Sequence, residues 1–162
     1  MARYRLRFAI ATLVFYGSAL AAHAQCLPGG LAVIVNKSNP VESMSMAQLR
    51  KLILGDVRAW QDHKAVALVS RDPSTKVYQC ALSSIVRLSP AEYQRYVMNA
   101  EFRGDEPMAI QVVDSDAQAA RIVSGTAGGF AIVEANSVAA SAGTVKVLHI
   151  EGKAVGQPGY PL

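Results

Sequence analysis

The chain has 162 residues, enough for one domain with a core of its own, and a formal net charge of +4. That excess is local: residues 1–24 hold three of the sixteen Lys and Arg and none of the twelve Asp and Glu, leaving thirteen bases against twelve acids over residues 25–162. A balance so near neutral excludes a nucleic-acid surface as the basis of function.

Residues 1–24 read as a cleavable secretory signal peptide. Arg3, Arg5 and Arg7 make a basic start, Phe8 to Ala22 an apolar stretch, and Ala22-His23-Ala24 a small-x-small cleavage site. The apolar stretch is about 15 residues, short of the ~20 that span a bilayer as a helix. Gln25 stands before Cys26 where lipid attachment wants a small residue. The expectation is a mature chain starting at Gln25 in the periplasm, soluble, with one domain over residues 25–162. Cys26 and Cys80 are the two cysteines. In an oxidising compartment an even count suggests a bridge, and two independent thiols are the alternative.

Leu31-Ala32-Val33-Ile34-Val35 is a continuous apolar run, typical of a strand covered on both faces. After a polar turn over Asn36 to Pro40, Ser45 and Gln48 form a capping box for a helix with Met46, Leu49 and Ile53 on one face, ended by Gly55. Ala65 to Val69 is a second buried strand. Ser70-Arg71-Asp72 leads to Pro73 at a first helical position, and that helix runs to about Leu88 with Val77, Ala81, Ile85 and Leu88 inside. Ser89, Pro90 and Glu92 start the next helix, which carries Tyr93 and Tyr96.

Ala109 to Val113 is a third strand. Asp114 or Ser115 caps a helix with Ala119, Ile122 and Val123 inside, and Gly125, Gly128 and Gly129 make the return turn. Phe130 to Val133 is a fourth strand, Val145 to Ile150 a fifth nearer an edge, and the tail from Gly156 to Leu162 reads as loose. Alternating strands and helices imply an α/β fold, a mostly parallel sheet covered by helices.

The stretch Leu31 to Asn36, followed by Ser45-Met46-Ala47-Gln48-Leu49-Arg50-Lys51-Leu52-Ile53-Leu54-Gly55, resembles phosphate-type periplasmic substrate-binding proteins. Trp60, the Val69-Ser70-Arg71-Asp72-Pro73-Ser74-Thr75 loop and Gly128-Gly129-Phe130-Ala131-Ile132-Val133 continue the likeness in order to residue 133. The resemblance implies one lobe of a type 2 periplasmic binding protein that takes phosphate or another small oxyanion for an ABC transporter, handing it to a membrane permease or sensor. Two-lobed relatives are about twice as long, and nothing before Leu31 matches their first anion loop. The family's phosphate loop also has glycines where this chain has Pro73, which lacks an N–H. A non-transport periplasmic interaction module on the same fold is therefore the alternative.

The candidate ligand residues are Ser70, Arg71, Asp72, Ser74 and Thr75. A helix start presents free N–H groups and a positive dipole end, Arg71 adds a planar donor fork, and the hydroxyls can donate. Asp72 would accept the proton of a protonated oxyanion. The competing reading makes Asp72 an N-cap and leaves Arg71 to pair locally. On the ligand reading, Arg71→Ala weakens binding and leaves stability nearly unchanged. The sequence calls for no cofactor, no metal and no enzyme: His63 and His149 have no nucleophile or metal-ligand spacing around them, and Asp105-Glu106 and Asp114 with Asp116 read as a turn and a cap.

Overall fold

The structure, a computed structural model, describes residues 26–103, 105 and 108–162. The signal-peptide reading over residues 1–24, the Gln25 start and the side chain of Glu106 lie outside the described residues.

The chain folds in the order β1 (Leu31–Asn36), β2 (Ser43–Met44), α1 (Met46–Leu54), β3 (Ala67–Arg71), α2 (Lys76–Ala81), α3 (Pro90–Phe102), β4 (Ala109–Val113), α4 (Asp116–Gly125), β5 (Gly129–Glu134), β6 (Val145–Val147) and β7 (His149–Ile150). The main sheet has strand order β4-β3-β5-β1-β6. β3 is parallel to β4 and β5, whereas β1 is antiparallel to β5 and β6. Four of the five strands thus point one way and β1 alone runs against them.

Alternation of side chains along the strands splits the core in two. Leu31, Val33 and Val35 join one cluster with Leu49, Val77, Ile85 and Tyr93 from α1, α2, the turn after it and α3. Ala32, Ile34, Val69 and Val113 join the other with Ala119 and Val123 of α4. All six residues of β1 are buried, so its uninterrupted apolar run is what a strand with two covered faces needs. At its end Asn36 is buried and fully used. Its amide donates to the Val123 and Ser124 carbonyls, each at 2.9 Å, which closes the carboxyl end of α4 against the sheet.

Local chemistry sets the helix ends. The Ser45–Gln48 and Ser89–Glu92 capping boxes both form, with Pro90 opening α3. Gly55 closes α1 with φ of 78°, a left-handed value that suits glycine. Ser115, of the two candidates, caps α4 by accepting from the Gln118 N–H at 3.2 Å.

Four expectations need correction. The second strand is Ala67–Arg71, two residues later than expected, because Ala65 bridges Ala59 and Val66 donates to the Arg58 carbonyl before the chain joins the sheet. The helix expected from Pro73 starts at Lys76, since Thr75 and not Asp72 is its cap. It widens into a π-helical turn over Leu82–Val86 and stops at Arg87, whose φ is 61°. The strand expected over Val145 to Ile150 splits at Leu148. β6 borders the main sheet, while β7 pairs with β2 in a separate two-stranded sheet. The tail is docked rather than loose: Leu162 is buried in the core, Tyr160 packs against it, and Lys153 donates to the Gly159 carbonyl at 3.0 Å.

Trp60 is a core residue. Its indole N–H donates to the Gly128 carbonyl at 2.9 Å and its ring meets Phe130 edge-on at 6.1 Å. Gly128 lies so close to the preceding loop that a Cβ would sit 1.8 Å from the Ala65 backbone oxygen. Gly128→Ala should therefore cost about 3 kcal/mol, by forcing backbone apart and lengthening the Trp60 hydrogen bond. Denaturant unfolding measures it, and a loss below about 0.5 kcal/mol would show that the Ala65 loop yields freely.

Candidate functional site

β3, β4 and β5 end on the same side of the sheet because they run parallel, and ligands of open α/β sheets bind beyond such ends. The expected loop lies there. Arg71 is the last residue of β3, and Asp72, Pro73, Ser74 and Thr75 connect it to α2.

The hydrogen bonds of this loop close on themselves. Asp72 Oδ1 accepts from the Ser74 N–H at 2.8 Å and from the Ser74 hydroxyl at 2.5 Å. Those two bonds, the hydroxyl's first, hold the Asp72 carboxyl below the ordinary carboxylate value. Asp72 thus stays ionised at neutral pH, with one oxygen occupied. The Thr75 hydroxyl donates to the Asp72 carbonyl at 2.7 Å and accepts from the Tyr78 N–H at 3.3 Å, capping α2. The Ser70 hydroxyl donates to the Arg71 carbonyl at 3.0 Å.

Arg71 is also engaged. Its Nη1 forms an ion pair with Asp116 in the first turn of α4, and its Nη2 donates to the Asp114 carbonyl at 2.8 Å. The other oxygen of Asp116 accepts from the Glu134 N–H at 3.0 Å. The two side chains are 13% and 11% exposed. One guanidinium thereby ties the ends of β3, β4 and β5 to the start of α4, and only its Nε, buried, is without a partner. Arg71 is bonded to the framework in this way, so Arg71→Ala is expected to cost stability.

Asp72, Asp114 and Glu134 follow the ends of β3, β4 and β5 and Asp116 opens α4, while Arg71 and Lys76 are the bases that flank the loop. A mainly apolar crevice of about 110 Å³ opens there, lined by Ser70 and Arg71 together with Pro73, Val77, Ile110 and Val112. His63 and His149 are both exposed. Among the described residues no group of three or more His, Cys, Asp or Glu could hold a metal.

Sequence reasoning missed Asp116 as a partner for Arg71. The residues stand 45 positions apart, and the only local signal was a carboxylate in a helix's first turn.

Cys26 and Cys80 are joined as a disulfide with Cα atoms 5.6 Å apart, fastening the chain before β1 to α2.

The fold is similar to part of the fold of solved phosphate substrate-binding proteins. An ABC-type phosphate transport receptor from Vibrio cholerae matches it with a TM-score of 0.60 and 21% identity over 78% of this chain. PstS from Borrelia burgdorferi matches with a TM-score of 0.62 and 13% identity over 76%, and a protein from Clostridium perfringens solved with bound phosphate with 0.60 and 19% over 78%. The chain spans about half the length of these structures, 48%, 48% and 46% in turn. No family model and no curated protein matches the sequence.

Proposed function

We propose that this protein is a periplasmic interaction module, a solute-binding fold used to engage another protein rather than to hold a solute. The observation that carries this reading is the engagement of Arg71. Nη1 and Nη2 each make one bond to the protein, to the Asp116 carboxylate and the Asp114 carbonyl, so two of the five N–H donors of Arg71 and its charge are already committed to the framework. The ionised Asp72 and the apolar crevice support the same conclusion. A disulfide at Cys26–Cys80 supports the periplasmic setting, because such bridges persist in oxidising compartments.

One observation favours the other reading, an oxyanion receptor that passes phosphate to an ABC permease or a sensor. Arg71 keeps an unpartnered Nε, and one structure of the same fold holds phosphate. Titration calorimetry of the exported protein with phosphate, sulfate and acetate separates the two. The module should give no saturable heat and no thermal shift. A genuine receptor at about 100 times its Kd of phosphate would gain about 2.7 kcal/mol of stability. Saturable phosphate binding with such a shift would establish the receptor instead.

A further inference from the structure

β4 borders the main sheet and pairs only with β3. Its sequence, Ala109-Ile110-Gln111-Val112-Val113, contains no charge and no proline. Sheet edges are ordinarily protected by a charged side chain, a proline or a covering element. The opposite border, β6, has such a device in Lys146, paired with Glu42 at 2.7 Å. β4 has none. Ile110 and Val112 share one face and are 41% and 53% exposed.

The free backbone groups of this edge can be assigned. The Val113 carbonyl accepts from the Asp72 N–H at 3.2 Å, so Val113 turns its polar groups toward β3. By the two-residue alternation of a strand, Ala109 and Gln111 do the same. Ile110 and Val112 therefore turn their N–H and C=O groups to the open edge.

We infer that a second copy of this chain pairs on this edge, β4 antiparallel to β4, around a two-fold axis at Gln111. The segment is self-complementary in that register. Ile110 of each copy faces Val112 of the other, and each such pair exchanges two N–H···O bonds, using every free backbone group of both residues. The same pairs lay exposed β-branched side chains against one another. The central Gln111 pair is uncharged and needs no ion.

Charge selects the antiparallel direction. At the carboxyl end of β4, Asp72 and Asp114 have no ion-pair partner among the described residues. Among the described residues the amino end has a mixed set, in which Arg58 and Arg103 stand with Glu101 and Asp105. Antiparallel pairing sets the acidic end of each copy against the mixed end of the other. Parallel pairing would place Asp114 on Asp114.

This inference stands on β4 alone and does not depend on whether the Arg71 loop binds an anion. Sedimentation equilibrium of the oxidised, exported protein should show a monomer–dimer equilibrium at micromolar concentrations. Val112→Lys, which alters both symmetric pairs, should weaken self-association by about tenfold or more while leaving the unfolding midpoint of the monomer in place. Gln111→Cys should cross-link to its own mate, because residue 111 faces itself in a non-hydrogen-bonded pair with Cα atoms about 4.5 Å apart. Ala109→Cys, facing Val113 of the other copy, should not. A monomer at every concentration overturns the inference. So does a dimer that Val112→Lys leaves intact, or cross-linking at residue 109 but not at 111.

Discussion

Asp116→Ala should destabilise the protein by about 3 kcal/mol, a large part of the 5–15 kcal/mol that holds a domain together. The carboxylate does two jobs. One oxygen neutralises Arg71, which is 13% exposed, and the other accepts the Glu134 N–H at 3.0 Å. Its removal leaves a largely buried guanidinium held by one carbonyl, together with an N–H that has lost its acceptor. Breaking a fully buried pair by deleting one partner costs 3–5 kcal/mol, and residual exposure puts this pair at the low end. Asp116→Asn keeps an acceptor for Glu134 and loses the charge, so its loss should be about half as large. Replacing both partners, Arg71→Met with Asp116→Leu, should recover most of it, because no uncompensated charge remains. Urea unfolding of the four proteins gives the comparison. An Asp116→Ala variant within about 0.5 kcal/mol of wild type would mean that the pair is open to water and Arg71 is free for a ligand, which would remove the main support for an interaction module.

The difference between what was legible and what was not follows the range of the interactions. The boxes at Ser45–Gln48 and Ser89–Glu92 span three residues each, so the sequence contains every participant, and both form. The run Leu31 to Val35 contains its own evidence of burial on two faces. It has no direction, however, so the reversal of β1 against the other four strands of the sheet depends on β5 and β6, about a hundred residues away. The start of β3 is displaced by backbone bonds across the loop from Arg58 to Ala65, which no side-chain pattern announces. Tyr160 and Leu162 lie among prolines and glycines that signal looseness, yet they find the core because it is within reach. The loop from Ser70 to Thr75 is ambiguous for the same reason. Its hydroxyls, carboxylate and arginine are the groups that bind an oxyanion, and they are equally the groups that cap a helix and tie strand ends together. Asp116, supplied from 45 residues away, is the partner of Arg71 that the loop itself does not announce.

Removing the Cys26–Cys80 bridge should cost about 4 kcal/mol, more than any substitution above. The bond closes a loop with a sequence separation of 54, and the chain-entropy account gives that magnitude for a loop of such length. The Cα separation of 5.6 Å falls within the usual disulfide range, so the fold accepts the bond without moving backbone. What the bridge holds is visible in the chain before β1. Cys26 and Leu27 precede the first strand, Leu27 is buried in the main core, and the Gly30 N–H donates to its carbonyl at 3.0 Å. With Cys26 free, Leu27 and that one turn are left to keep the segment in place. Cys80 is buried on α2, so alanine is the cleaner replacement there: serine would add a buried hydroxyl to the lost bond. The measurement compares oxidised wild type, wild type in excess dithiothreitol, and Cys26→Ala/Cys80→Ala by urea unfolding. The last two should agree with each other and fall about 4 kcal/mol below the first. Intact mass of the exported protein should be two hydrogens below that of the reduced chain. Two freely alkylated thiols in native, oxidised protein would overturn the bridge, and with it the physical argument for a periplasmic setting.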